Sequence, residues 1–155
     1  MAKISSATGD RISLTLESTL DSVNLAESVI EKFASECGVN GDELQEVMMS
    51  VREATVNAVL HGNAYDPAKR VEVVFERQPG KLQVTVRDQG KGFDEEDVPD
   101  PLVPENLLKQ SGRGIFLMRA YMDEVRVRNM NPGTEVILVK NTHARSSEAG
   151  GKERV

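Results

Sequence analysis

The chain has 155 residues, of which 39% are hydrophobic and 28% charged, with a net charge of −6 and one cysteine. This suffices for a single domain with one core. The charge lacks the basic footprint of a nucleic-acid binder, lone Cys37 excludes an internal disulfide, and no stretch approaches the ~20 apolar residues of a membrane span. A soluble, cytoplasmic protein is expected.

Residues 1–9 are small and polar and read as a flexible arm. Ile12, Leu14 and Leu16 alternate with polar residues, the period of a half-buried strand, and as the first strand this one is expected at a sheet edge. From Leu20, apolar residues recur at three- and four-residue steps (Val23, Ala26, Ile30, Phe33) up to Cys37, a small core filler, and Gly38 closes the helix. A second helix is predicted from about Asp42 to His61, with Leu44, Val47, Met48, Val51, Thr55 and Ala58 on its core face. Its other face carries Glu53 and Asn57 one turn apart, among Met49, Val56 and Leu60. Three large apolar residues there predict a helix covered on both sides, with Glu53 and Asn57 facing a cavity.

Alternation at Val71, Val73 and Phe75, a turn at Gln78-Pro79-Gly80-Lys81, and alternation at Leu82, Val84 and Val86 predict a hairpin. Residues 94–111 read as a long loop with three prolines, of the length typical of lids. A short helix is predicted from Gly114, then a hairpin joining Val125 and Val127 to Val136 and Leu138. The tail, residues 141–155, reads as disordered. With residues 10–140 as the domain, the order β-α-α-β-β-loop-α-β-β predicts an α/β two-layer sandwich: helices on one face of a mixed, mostly antiparallel sheet.

Three groups of residues carry chemistry. Asn57 offers an amide oxygen, the hard donor that Mg²⁺ accepts when phosphates supply the remaining ligands. Glu53, one turn earlier in apolar surroundings, suits a general base. Asp88 ends a strand ahead of Gly90 and Gly92; its carboxylate can accept from a purine amino group while the glycines let backbone approach a flat ring. Gly112-Arg113-Gly114 opens a helix whose free N–H groups favour an anion, and Lys109 and Arg113 add positive charge.

Glu53-x-x-x-Asn57, Asp88-x-Gly90-x-Gly92 and Gly112-x-Gly114 resemble the N box and the two glycine boxes of the GHKL ATPase superfamily, with its Bergerat fold, the histidine-kinase-like ATPase fold. The run from Val51 to Gly62, together with Met122-Asp123-Glu124-Val125, is similar to the anti-sigma factor serine/threonine kinases of bacterial partner switching. The resemblance covers about Ile12 to Lys140. It implies a kinase that uses ATP and Mg²⁺ to phosphorylate a serine or threonine of an anti-sigma-factor antagonist, which competes with a sigma factor for this protein. It further implies Asn57 as metal ligand, Glu53 as base, Asp88 as reader of adenine, Gly90, Gly92, Gly112 and Gly114 as the shape of the nucleotide site, Thr134 as support at the adenine end, and a homodimer. A nucleotide-dependent binding module without kinase activity is the alternative.

Overall fold

The computed structural model describes residues 3–91 and 114–142. Six strands form one sheet: β1 (Lys3–Ala7), β2 (Arg11–Glu17), β3 (Arg70–Gln78), β4 (Lys81–Arg87), β5 (Glu124–Asn129) and β6 (Thr134–Asn141). They lie in the order β1-β2-β3-β4-β6-β5, and every pairing is antiparallel. The sheet is therefore antiparallel throughout rather than mixed, because neighbouring strands run on as hairpins or return after the helices in the opposite sense. Three α-helices, α1 (Leu20–Glu36), α2 (Gly41–Val56) and α3 (Gly114–Tyr121), cover one face.

Strand alternation selects that face. Leu14, Val73, Val86, Val136 and Val127 sit on one rung of the register; the first four belong to the core packed beneath the helices, and Val127 packs against it. The neighbouring rung, Thr15, Glu72, Arg87, Glu135 and Arg128, points the other way. There Glu135 is 2% exposed, its two oxygens taken by Arg87 at 2.7 Å and Arg128 at 3.0 Å. Such forked, charge-assisted pairs leave neither acceptor oxygen bare in a buried position.

Helix α1 starts where Thr19 accepts a hydrogen bond from the Ser22 N–H, and it buries Val23, Ala26, Ile30, Phe33 and Ala34. Helix α2 starts with Asp42 and Glu43 at its positive end and buries Val47, Val51, Ala54 and Thr55. Arg52, on the flank of α2, pairs with Glu27 of α1 at 3.2 Å.

The amino terminus corrects the sequence reading. Lys3–Ala7, expected within a flexible arm, forms β1. Period-2 patterning gave no signal, because β1 is exposed and bound by backbone pairing, with a register shift between Ile4 and Ser6. In consequence β2 is not an edge: it pairs with β1 on one side and β3 on the other. At the far end β6 runs to Asn141, and Thr142 N–H donates to Gly80 O at 2.9 Å, so order extends past residue 140. The predicted loop at 94–111 and the remainder of the tail lie outside the described residues.

Candidate functional site

The site begins where α2 changes pitch. After Val56 the chain continues as a π-helical turn, Asn57–Gly62, in which Asn63 N–H donates to Ala58 O at 2.8 Å. A wider turn at this point adds a residue per hydrogen bond and redirects the chain beyond it; such insertions recur at functional sites. Glu53 and Asn57 remain one turn apart on the same flank of the helix. Gly114, the first residue of α3, lies directly against both: a β-carbon there would fall 2.8 Å from Asn57 Nδ2 and 3.0 Å from Glu53 Oε1. With glycine at this position α3 begins against the acid and the amide without displacing either side chain.

The other end of the site is built on Asp88. Its backbone extends the β4–β6 ladder, with Asp88 N–H donating to Thr134 O at 3.0 Å. Its Oδ1 accepts from the backbone N–H of Gly90 at 3.0 Å and of Thr134 at 3.1 Å. One carboxylate oxygen is thus pinned by two donors, which orients the second. Burial pushes the Asp88 carboxyl above the ordinary aspartate range, while the Gly90 and Thr134 N–H groups and the charge of Lys69 pull it back.

Close backbone approach surrounds this carboxylate. A β-carbon on Gly62 would collide with the carboxylate of Asp88, one on Gly90 with the carbonyl oxygen of Gly62, and one on Gly133 with the carbonyl oxygen of Asp88. Gly133 is also held at φ +98°, so it is required on two counts.

A cavity of about 770 Å³ joins the two ends, walled by Asn57, His61, Gly62, Asp88, Lys91 and Thr134, with Tyr65 and Lys69 from the connection before β3 and Ala58, Val86, Ile115 and Val136 beneath. That volume, with an apolar floor and polar and charged groups around it, suits a nucleotide-sized ligand. Among the described residues no cluster of three or more His, Cys, Asp or Glu could hold a metal ion by itself. One amide oxygen at Asn57 fits a hard ion whose other ligands come from phosphate and water.

Of the residues singled out in the sequence, Asn57, Asp88 and Thr134 line the cavity, Glu53 and Gly114 flank Asn57, and Gly90 braces Asp88. Gly92, Lys109, Gly112 and Arg113 lie outside the described residues. One expectation changes. Met49 and Leu60 are 43% and 37% exposed, so among the described residues the Glu53 flank of α2 is covered only in part, with Val56 packed against the core. The sheet takes one side of the helix and α1 and α3 its flanks, which leaves Met49 and Leu60 at the surface. Thr134 reaches Asp88 through its backbone N–H. The sequence reading missed Gly62, Asn63 and Lys69; His61-Gly62-Asn63 looked like a helix terminator, and nothing local tells that Gly62 faces a carboxylate 26 positions on.

Comparison with known proteins places the chain among its relatives. Residues 16–140 match the histidine kinase-like ATPase domain family. The chain is similar to the anti-sigma F factor of Geobacillus stearothermophilus, at 37% identity over 122 residues, 76% of this chain and 82% of that one. It is also similar to the serine-protein kinase RsbW of Bacillus subtilis (strain 168), at 31% identity over 137 residues, 84% of this chain and 85% of the relative. The fold resembles the crystal structure of the RsbU and RsbW domains of Rv1364c from Mycobacterium tuberculosis, with a TM-score of 0.61 and 18% identity over 84% of this chain. This chain spans 31% of that longer one. No helix among the described residues is long and apolar enough to cross a membrane.

Proposed function

Because the chain belongs to the histidine kinase-like ATPase domain family, we propose that it is an anti-sigma factor with protein serine/threonine kinase activity. It transfers the terminal phosphoryl group of ATP to a serine or threonine of an anti-sigma-factor antagonist and so sets the availability of a sigma factor. The observation that carries this reading is the single cavity bounded at one end by Asp88 and at the other by Asn57, with Glu53 one turn behind.

Asp88 reads the base. Its free oxygen accepts from the amino group of adenine and would face the carbonyl oxygen of guanine instead, two acceptors in opposition. The glycines at 62, 90 and 133 let backbone close around that end. Asn57 would hold Mg²⁺ through its amide oxygen, and the bound ion would supply neutralisation of phosphate charge. Glu53 accepts the proton of the substrate hydroxyl as its oxygen attacks phosphorus and the bond to the leaving diphosphate breaks. Phosphoryl transfer asks little more of a protein than positioning and charge neutralisation. Gly92, Lys109, Gly112 and Arg113 complete the phosphate end in this reading.

The domain, which includes β1 and runs through β6, acts in the cytoplasm and works as a homodimer that meets the sigma factor and the antagonist without touching nucleic acid. Outermost β1, with Ile4 56% exposed, supports a pairing edge. The test is single-turnover transfer from ATP to the antagonist by Glu53→Gln. That variant should bind ATP as wild type does and transfer about 10²- to 10⁴-fold more slowly. Near-wild-type transfer would remove Glu53 from the role of base.

A further inference from the structure

Between the π-helical turn and β3 the chain makes a strap, residues 63–70, that forms one wall of the cavity. Two residues in it, Ala64 at φ +52° and Tyr65 at φ +59°, occupy the left-handed region that side chains other than Gly, Asn or Asp seldom adopt. Backbone held there persists only when its surroundings over-determine it. Asn63, 1% exposed, provides that restraint. Its Nδ2 donates to Ser18 Oγ at 2.9 Å and to Arg70 O at 3.0 Å, and its Oδ1 accepts from Gln89 N–H at 2.7 Å. Gln89 returns the contact: its Oε1 accepts from Arg70 N–H at 2.6 Å. Ser18 Oγ in turn donates to Lys69 O at 2.7 Å. One buried amide therefore fastens both ends of the strap to the exit of β4, at the residue that follows Asp88.

We propose that Asn63 is the positioning residue of the base-reading end: through Gln89 it fixes the backbone that aims the Asp88 carboxylate, and through Ser18 and Arg70 it fixes the strap that faces Asp88 across the cavity. The inference rests on the reading of Asp88 as the group that selects adenine. Asn63 borders the cavity, but both hydrogens of its amide nitrogen and one lone pair of its oxygen are engaged in the clamp. It acts on the ligand by what it holds.

The test uses the full chain and calorimetric affinities for ATP and GTP, with thermal unfolding without nucleotide as the check on folding. Asn63→Ala should weaken ATP binding about tenfold while GTP binding changes little, as expected when roughly one well-made contact to the ligand is lost. The ATP-to-GTP preference should fall, and adding Asp88→Asn should lower it little further, because both changes act on the same contact. A purely structural role would lower the unfolding temperature and weaken both nucleotides alike. A folded Asn63→Ala with wild-type preference, beside an Asp88→Asn that loses it, overturns the inference. An Asp88→Asn that keeps the preference overturns the reading of Asp88 instead. Should Asn63→Ala not fold, Gln89→Ala decides, since Gln89 is exposed and its side chain serves the clamp at Arg70 N–H. It should lower the preference by about threefold, the fraction expected for one of several hydrogen bonds, and an unchanged preference in that variant overturns the inference.

Discussion

Replacing Gly62 by alanine separates fold stability from ligand recognition, because a compensating gain exists for the first and not for the second. Gly62 ends the π-helical turn, where alanine is intrinsically favoured over glycine by about 1 kcal/mol. Its new β-carbon, however, would overlap Asp88 Oδ2 and Cγ and lie 2.8 Å from Oδ1. The carboxylate cannot swing aside freely, because Oδ1 is held by the N–H groups of Gly90 and Thr134. Overpacking of this kind costs about 1–3 kcal/mol, so the net loss of stability should lie between zero and about 2 kcal/mol. Adenine recognition has no such compensation. Displacing the oxygen that accepts from the base forfeits a hydrogen bond to a charged group, about 1.5–3 kcal/mol, or roughly tenfold to a hundredfold in ATP affinity. Thermal unfolding without ligand and calorimetric titration with ATP measure the two effects on one preparation. A Gly62→Ala protein that folds and binds ATP with wild-type affinity would refute the reasoning that Asp88 must keep its observed position to read the base.

Three further outcomes are expected. Asn57→Ala should retain the fold and lose the Mg²⁺-dependent part of ATP affinity; equal Mg²⁺ dependence in calorimetry of both proteins would remove the metal from Asn57. Asp88→Asn, without nucleotide, should be at least as stable as wild type at pH 7. Burial raises the Asp88 carboxyl above its unfolded value of about 3.9, so the stability it contributes is fully present below that value and lost as pH rises through the folded-state value. The advantage of Asn should therefore vanish when unfolding is followed below about pH 3.9, and a constant difference across pH would contradict the assignment. Light scattering should give twice the 17.0 kDa chain mass, and Ile4→Lys on β1 should shift it towards one chain. Leu14→Asp does not serve that purpose, since Leu14 is fully buried inside the sheet and its loss would strike the core.

Wherever a pattern repeats within a few residues, the sequence determined the outcome. The alternation of Val71, Val73 and Phe75 against Leu82, Val84 and Val86 became the β3–β4 hairpin, and the stripe from Val23 to Phe33 became the buried face of α1, because strand and helix periods leave no other way to hide those side chains. Asn57 and Asp88, which the structure places on one cavity, could be singled out because an amide one turn from an acid and a carboxylate before glycines are local arrangements. Strand β1 was not legible, since backbone pairing at an exposed edge places no demand on side-chain pattern. Nor was the covering of α2: periodicity tells which residues share a face, while the packing of neighbouring elements decides whether that face is hidden, and Met49 and Leu60 are exposed. Only the folded chain brings Gly62 onto Asp88, Gly114 onto Asn57, and Asn63 between Ser18, Arg70 and Gln89. These contacts join residues distant along the chain, and no local propensity encodes a distance that three separate elements must close together.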